Sequence, residues 1–201
     1  MTENRFLPDS STDPFILFKD WFETASENEL NDPNAMCLST ISEDFKPSSR
    51  MVLLKDFDNQ GFVFYTNKHS KKGISILNNP SVSLNFHWKS ILRQIRIEGK
   101  VHQITEIEAD DYFNSRPEDS RISAWASDQS STLISREKLN ENIDYYKKKF
   151  QNKTINRPPH WTGFRVEPEL IEFWQYMPFR LHDRLEFKKI NNEWFVRKLF
   201  P

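Results

Sequence analysis

Glycine is scarce in this 201-residue chain: four in all, Gly61, Gly73, Gly99 and Gly163. Dinucleotide-binding loops and P-loops both need closely spaced glycines so that backbone can approach phosphate. Neither can be built here, so any phosphate must be held mainly by side chains. Cysteine is scarcer still. Cys37 stands alone, which excludes a disulfide within the chain and fits a reducing compartment. It lies in AMCLSTI, a run that reads as a buried strand, where a core thiol is expected to be inert. No apolar run reaches the ~20 residues that span a bilayer, and the N-terminal MTENRFLPDSSTDP lacks the apolar region of a secretory signal. Neither sign of charge is in excess: 28 basic and 29 acidic residues give a formal net charge of −1. Nothing global draws the protein to nucleic acid or an anionic membrane, so an anion site has to be local. HExxH, CxxC and GxSxG are all absent, and the five histidines show no paired spacing. That argues against a transition-metal site and against a serine hydrolase. The expectation is a cytoplasmic protein: a polar, mobile segment over 1–13 and one domain over 14–201.

Strand signals dominate. AMCLSTI and SRMVLLKDF are short and apolar, and DNQG at 58–61 turns the chain into FVFYTN, which makes a hairpin. SVSLNFHW alternates, with Val82, Leu84, Phe86 and Trp88 on one face, and QIRIEGKV points Ile95, Ile97 and Val101 inward. Helices are fewer. Asp13-Pro14 reads as an N-cap with proline at the first helical position, followed by Phe15, Phe18 and Phe22. SKKGISILNNP is a short helix capped by Ser70, and EIEADDYFNSRP a helix ended by Pro117. SREKLNENIDYYKKKF is the long one, with Leu139, Ile143 and Phe150 on one stripe and KKK on a solvated face. From Trp161 the chain returns to strands. Without regular strand–helix–strand alternation, a mainly β antiparallel barrel with peripheral helices fits best.

Cations gather in several places. In FRLHDR, Arg180, His182 and Arg184 occupy every second position, and on a strand they would share a face, ~7 Å from one to the next. Such a stripe either sits wet and paired with glutamates of a neighbouring strand, or forms a site for an anionic, flat ligand beside Phe173 and Trp174. Arg50 and Lys55 bracket a buried-looking strand at odd separation, so they face opposite ways. Ser70, Lys71 and Lys72 open a helix, where free N–H groups and lysines suit a phosphate. Tyr112 and Arg116 are four apart on a helix, with Ser120 just beyond its end. Each cluster alone reads as surface polarity; together, in a neutral protein, they suggest anion binding.

IEFWQYMPFRLHDR resembles the C-terminal signature of the pyridoxamine 5′-phosphate oxidases: an acidic-aromatic-Trp-Gln run, four variable residues, then Arg-Leu-His-Asp-Arg. The resemblance continues through RMVLLK, VFYTN, HSKKG, NNPSVSLNF, RQIRIEGKV, YFNSRPEDSRISAWASDQSS and KLFP, in family order from Asp13 to Pro201. It implies a split β-barrel that binds flavin mononucleotide (FMN), and a homodimer with active sites at the subunit interface. The implied reaction oxidises pyridoxamine or pyridoxine 5′-phosphate to pyridoxal 5′-phosphate, with dioxygen consumed and hydrogen peroxide released. By resemblance, Arg50, Lys55, Tyr65, Thr66, Lys71, Lys72, Gln129 and Ser130 are flavin-binding positions. Gln94, Trp174 and Arg184 reach the flavin ring, in the family partly from the second subunit. Lys55, Tyr112, Arg116 and Ser120 match the pocket for the substrate phosphate, and Arg180 and His182 the pair that orients the substrate ring as the catalytic residues.

Some positions depart from the family pattern. Lys71 stands where arginine is common, which loses the bidentate fork. Tyr176-Met177-Pro178-Phe179 replaces a smaller, glycine-containing run. Asp32 matches a position near the family's N-terminal lid, but Arg5 has no accompanying tyrosine, so closure over substrate is expected to be weaker. Two other readings of the scaffold stand beside the oxidase: a phenazine-biosynthesis type of flavin enzyme, and a non-catalytic flavin- or haem-binding split barrel.

Overall fold

The computed structural model describes residues 13–201; of the expected mobile segment 1–13 only Asp13 is among them, and Arg5 lies outside the described residues. Helix α1 (Pro14–Asn28) begins where Asp13 accepts the Phe15 and Ile16 amides, a cap that satisfies two otherwise orphaned donors. The chain then runs β1 (Ala35–Ile41), β2 (Pro47–Leu53), β3 (Asp56–Asp58), β4 (Gly61–Asn67), α2 (Lys71–Asn78), β5 (Ser81–Trp88) and β6 (Arg93–Gln103). Next come α3 (Glu106–Ser115), α4 (Glu118–Ala126), α5 (Arg136–Phe150), β7 (Trp161–Gln175), a 3₁₀ turn (Pro178–Arg180), β8 (Asp183–Ile190) and β9 (Glu193–Lys198). The described residues are mainly β with five α-helices, as the sequence suggests.

All nine strands join one sheet in the order β2-β1-β5-β6-β7-β4-β3, with β8 on β7 and β9 on β8. The long strand β7 organises it. Its first half, Trp161 to Val166, pairs antiparallel with β4, and its second half, Leu170 to Gln175, with β8. One edge of β7 therefore carries two different neighbours, which splits the sheet. The Lys55 amide donates to the Val63 carbonyl at 2.8 Å, drawing the end of β2 against β4 and curling the sheet into a half-barrel. A register shift at Glu98/Gly99 bends β6 over β7. A Cβ at residue 99 would lie 2.0 Å from the Glu167 carbonyl oxygen, so only glycine permits this approach.

The concave side is filled by aromatics. Phe18 of α1 is fully buried, with ring centroids 4.8 Å from both Phe57 and Phe62 and 5.4 Å from Phe86. Burying each such ring is worth roughly 1.5–3 kcal/mol. Val82, Leu84, Phe86 and Trp88 all point inward, as their alternation predicts. Two expectations fail. Strand β2 is not buried: it ends the sheet path, and Met51 and Leu53 are exposed. Cys37 sits on the outward face of β1, half-buried, because Met36 and Leu38 take the inward positions. Ser120 does lie past the end of α3, but within a further helix, α4, which the chain enters directly after Pro117.

Candidate active site

Strand β4 ends in Tyr65, Thr66 and Asn67, and a tight turn leads into α2. Ser70 caps that helix by accepting the Gly73 amide. Its first two residues diverge: Lys71 is exposed, whereas Lys72 is buried. Lys72 Nζ lies 3.2 Å from Thr66 Oγ1, 3.1 Å from Gln129 Oε1 and 3.4 Å from Ser70 Oγ. These partners are neutral. Burial, and then the nearby Arg50 guanidinium, lower the Lys72 pKa from its ordinary value. Arg50, half-buried on β2, donates to Thr40 Oγ1 at 2.8 Å and to the Leu38 carbonyl, and burial lowers its pKa too. Neither cation pairs with a carboxylate among the described residues. Two buried charges held by neutral oxygens form a site that favours an anion. Lys71 and Ser130 line a larger, open cavity of about 780 Å³ next to it, with Gln129 common to both regions.

Lys55, Tyr65, Lys72, Tyr112, Arg116 and Gln129 line a cavity of about 210 Å³. A second cavity, of about 260 Å³, shares Tyr65, Thr66, Arg116 and Gln129 and adds Ser120. Lys55, Tyr112 and Arg116 thus share the first cavity and Arg116 and Ser120 the second, without a shared helix face. Arg116 is the C-cap of α3, already extended. Its guanidinium carbon stands 4.8 Å over the Trp161 ring, and Trp161 stacks on Tyr65, which stacks on Tyr112 at 3.9 Å. Burial, then the neighbouring Tyr112, pushes the Tyr65 hydroxyl up to about 12, so it stays a neutral donor. Arg116 Nη1 is buried without a hydrogen-bond partner, and burial lowers the Arg116 pKa. A guanidinium whose donor is left unsatisfied costs stability unless an incoming acceptor takes it. Trp161 was not a candidate from the sequence; it shows only as the first residue of a strand.

The stripe of Arg180, His182 and Arg184 is not a strand face. Strand β8 begins only at Asp183, and Arg180 closes the 3₁₀ turn. Phe179 and Arg180 are both left-handed, with φ of 57° and 64°. Pro178 and this turn break the extended run that alternation requires. His182 Nδ1 accepts the Met177 amide at 3.2 Å, and its ring lies 4.5 Å from that of Trp174. An accepting Nδ1 puts the proton on Nε2, leaving that nitrogen as a donor. Arg184 is the one member of the stripe on β8. Its Nε donates to Glu172 Oε1 at 2.7 Å, on the neighbouring strand β7, so for Arg184 the pairing with a glutamate holds. Gln94, Trp174 and Arg184 are register partners across β6, β7 and β8, an alignment that pairing alone creates. None of Gln94, Trp174, Arg180, His182 and Arg184 lines either of the two cavities around Arg116. Trp161 and Trp174 stand thirteen residues apart near opposite ends of β7, roughly 40 Å along a strand rising ~3.3 Å per residue.

Residues 22–175 match the family model described as pyridoxamine 5′-phosphate oxidase. The chain belongs to that family. Residues 161–201 further match a pyridoxine 5′-phosphate oxidase C-terminal dimerisation region. A pyridoxine/pyridoxamine 5′-phosphate oxidase of Bartonella henselae is 53% identical over 203 residues, spanning 100% of this chain and 97% of the relative. Among solved structures, PhzG from Burkholderia lata 383 in complex with tetrahydrophenazine-1-carboxylic acid superposes with a TM-score of 0.90 at 30% identity, covering 96% of this chain and 95% of that one. A pyridoxamine 5′-phosphate oxidase-related, FMN binding protein from Nostoc punctiforme shares the fold, with a TM-score of 0.75 at 13% identity over 95% of this chain and 100% of its own. No described helix is long and apolar enough to cross a membrane.

Proposed function

We propose that the chain is an FMN-dependent oxidase converting pyridoxamine or pyridoxine 5′-phosphate to pyridoxal 5′-phosphate, with dioxygen reduced to hydrogen peroxide. The observation that carries this reading is the pair of cation sites without a carboxylate, Lys72 with Arg50 and Arg116 with Lys55. Two phosphates, one on the cofactor and one on the substrate, answer two such sites. Lys72, Arg50, Lys71, Thr66, Gln129 and Ser130 would hold the FMN phosphate and its ribityl chain. Lys55, Tyr112, Arg116 and Ser120 would take the substrate phosphate, with Arg116 Nη1 supplying a donor that nothing else uses. FMN, when bound, supplies the acceptor of two electrons. The protein's own work is placement, which lowers the barrier by fixing the reacting carbon near that acceptor. Arg180 and His182 orient the substrate ring, His182 through its Nε2–H.

The two groups of site residues lie near opposite ends of β7, too far apart to surround one flavin. That separation favours a homodimer in which each site is built from both chains; the dimerisation region matched by residues 161–201 points the same way. The exposed apolar side chains of Met51 and Leu53 on edge strand β2 suit such a contact. The lone cysteine suits the cytoplasm.

The test is direct. The purified protein should be yellow, and pyridoxine 5′-phosphate added without oxygen should bleach it. A flavin that stays oxidised would sink the proposal. The likeness to PhzG keeps a second reading, oxidation of a reduced phenazine carboxylic acid. Such a ligand leaves Arg116 and Lys55 without a phosphate, so bleaching by tetrahydrophenazine-1-carboxylic acid but not by pyridoxine 5′-phosphate would favour it.

A further inference from the structure

Glu172 lies on β7, two residues before Trp174, and is almost wholly buried. Its two carboxylate oxygens are divided between two arginines: Oε1 accepts Arg184 Nε at 2.7 Å, and Oε2 accepts Arg96 Nη1 at 2.9 Å. Arg184 has a second anchor, because its Nη1 donates to the Phe200 carbonyl at 2.9 Å. The backbone reinforces this, with the Leu199 amide on the Arg184 carbonyl at 3.1 Å. Nε and Nη1, which point to different sides of the guanidinium, are thus held by Glu172 and Phe200, and no described residue takes Nη2. A free arginine side chain carries considerable rotamer entropy. Two fixed hydrogen bonds remove it before any ligand arrives.

We infer that Glu172 is a positioning residue for the flavin site: with the Phe200 carbonyl it clamps Arg184 so that Nη2 is presented to the cofactor ring in one orientation. This rests on the proposal that Arg184 meets the flavin. The charge of Glu172 also holds Arg184 firmly cationic, its pKa being raised by that bond. Glu186 is the register partner of Glu172 on β8, and it pairs with Arg197 at 2.6 Å. It is a buried carboxylate of similar exposure that does not touch Arg184, and so serves as a control.

The test measures FMN dissociation from the full-length holoprotein by the rise of free-flavin fluorescence on dilution, alongside thermal unfolding. Glu172→Gln should weaken FMN binding at least tenfold. Arg184→Gln should do the same, and the double variant should be no weaker than Arg184→Gln alone, because the clamp acts only through the arginine. Arg197→Gln should lower the unfolding temperature yet leave FMN dissociation within twofold of the parent. Should Glu172→Gln fail to fold, Glu172→Asp keeps the charge and shortens the reach, and should weaken FMN binding in the same direction. If Arg184→Gln weakens binding while Glu172→Gln and Glu172→Asp do not, the clamp is wrong and the flavin role of Arg184 stands. If the double variant loses the full product of the single effects, Glu172 acts independently of Arg184 and the clamp is again wrong. If Arg184→Gln leaves binding unchanged, the flavin role of Arg184 fails and the clamp with it.

Discussion

The ammonium of Lys72 lies 3.1 Å from the amide oxygen of Gln129, 57 residues away in sequence. Gln129 itself is exposed, and the bond ties its segment to the first turn of α2. Neutral oxygens only partly offset the burial of a charge, so Lys72 is held at a cost that an arriving anion relieves. Lys72→Met keeps the length and removes the charge. The cofactor-free protein should unfold at the same or a higher temperature. FMN affinity should fall by roughly 10- to 100-fold, the loss of one charge-assisted bond of about 1.5–3 kcal/mol. Calorimetry and isothermal titration check the two halves.

The same lysine sets a pH dependence. Burial lowers its folded pKa below the ordinary 10.5, so the unfolded chain binds the extra proton between those two values. Across that window the cofactor-free protein gains stability from Lys72 as pH rises. FMN binding moves the other way, because the phosphate loses its cation once Lys72 deprotonates. Dissociation constants measured upward from neutral pH should therefore rise at a pH below 10.5, and the Lys72→Met variant should lack that step.

Arg116 offers a test of phosphate recognition. Arg116→Gln keeps a donor but loses the charge and the packing over Trp161. With pyridoxine 5′-phosphate, KM should rise about 10- to 100-fold, while pyridoxine without its phosphate should be turned over as poorly as by the parent. Steady-state kinetics on both substrates decide it: an equal loss on both would place Arg116 outside the phosphate pocket.

Gly163 supports the aromatic stack from beneath. A Cβ there would come 2.4 Å from Ile104 Cδ1 and 2.7 Å from the Tyr65 ring. Gly163→Ala should therefore push Tyr65 off Tyr112 and Trp161. Overpacking of this kind costs about 1–3 kcal/mol, which should appear as a lowered unfolding temperature together with an altered near-ultraviolet dichroism of the stacked rings.

Phe179 is exposed and left-handed, a conformation that costs a side-chain-bearing residue about 1–2 kcal/mol. Phe179→Gly should relieve that strain and raise the unfolding temperature by a few degrees, and substrate KM should change because the segment carries Arg180. Differential scanning calorimetry checks the first, kinetics the second.

Much of this was legible in the chain. Alternation marked Val82 to Trp88 and Ile95 to Val101 as inward-facing, and Asp13 and Ser70 declared their helix caps, because period and capping are local properties. The resemblance grouped Lys55, Tyr112, Arg116 and Ser120; Arg116 joins the cavity of Lys55 and Tyr112 to that of Ser120. Cys37 and β2 were misjudged for a related reason: composition says that a strand is apolar, but only its place in the sheet says which face is covered.

What the sequence determined by itself was the inventory: mainly strands, side-chain cations in place of a glycine-rich loop, and the family signature around Arg180. Tertiary structure decided how that inventory is shared out. The left-handed turn at Phe179–Arg180 broke an apparent stripe of three cations. Strand pairing then set Gln94, Trp174 and Arg184 side by side and placed Glu172 against Arg184. The spacing of residues along a chain constrains only neighbours within a few positions, whereas register between strands pairs residues far apart in sequence, as with Phe62 and Val166 or Gln94 and Trp174.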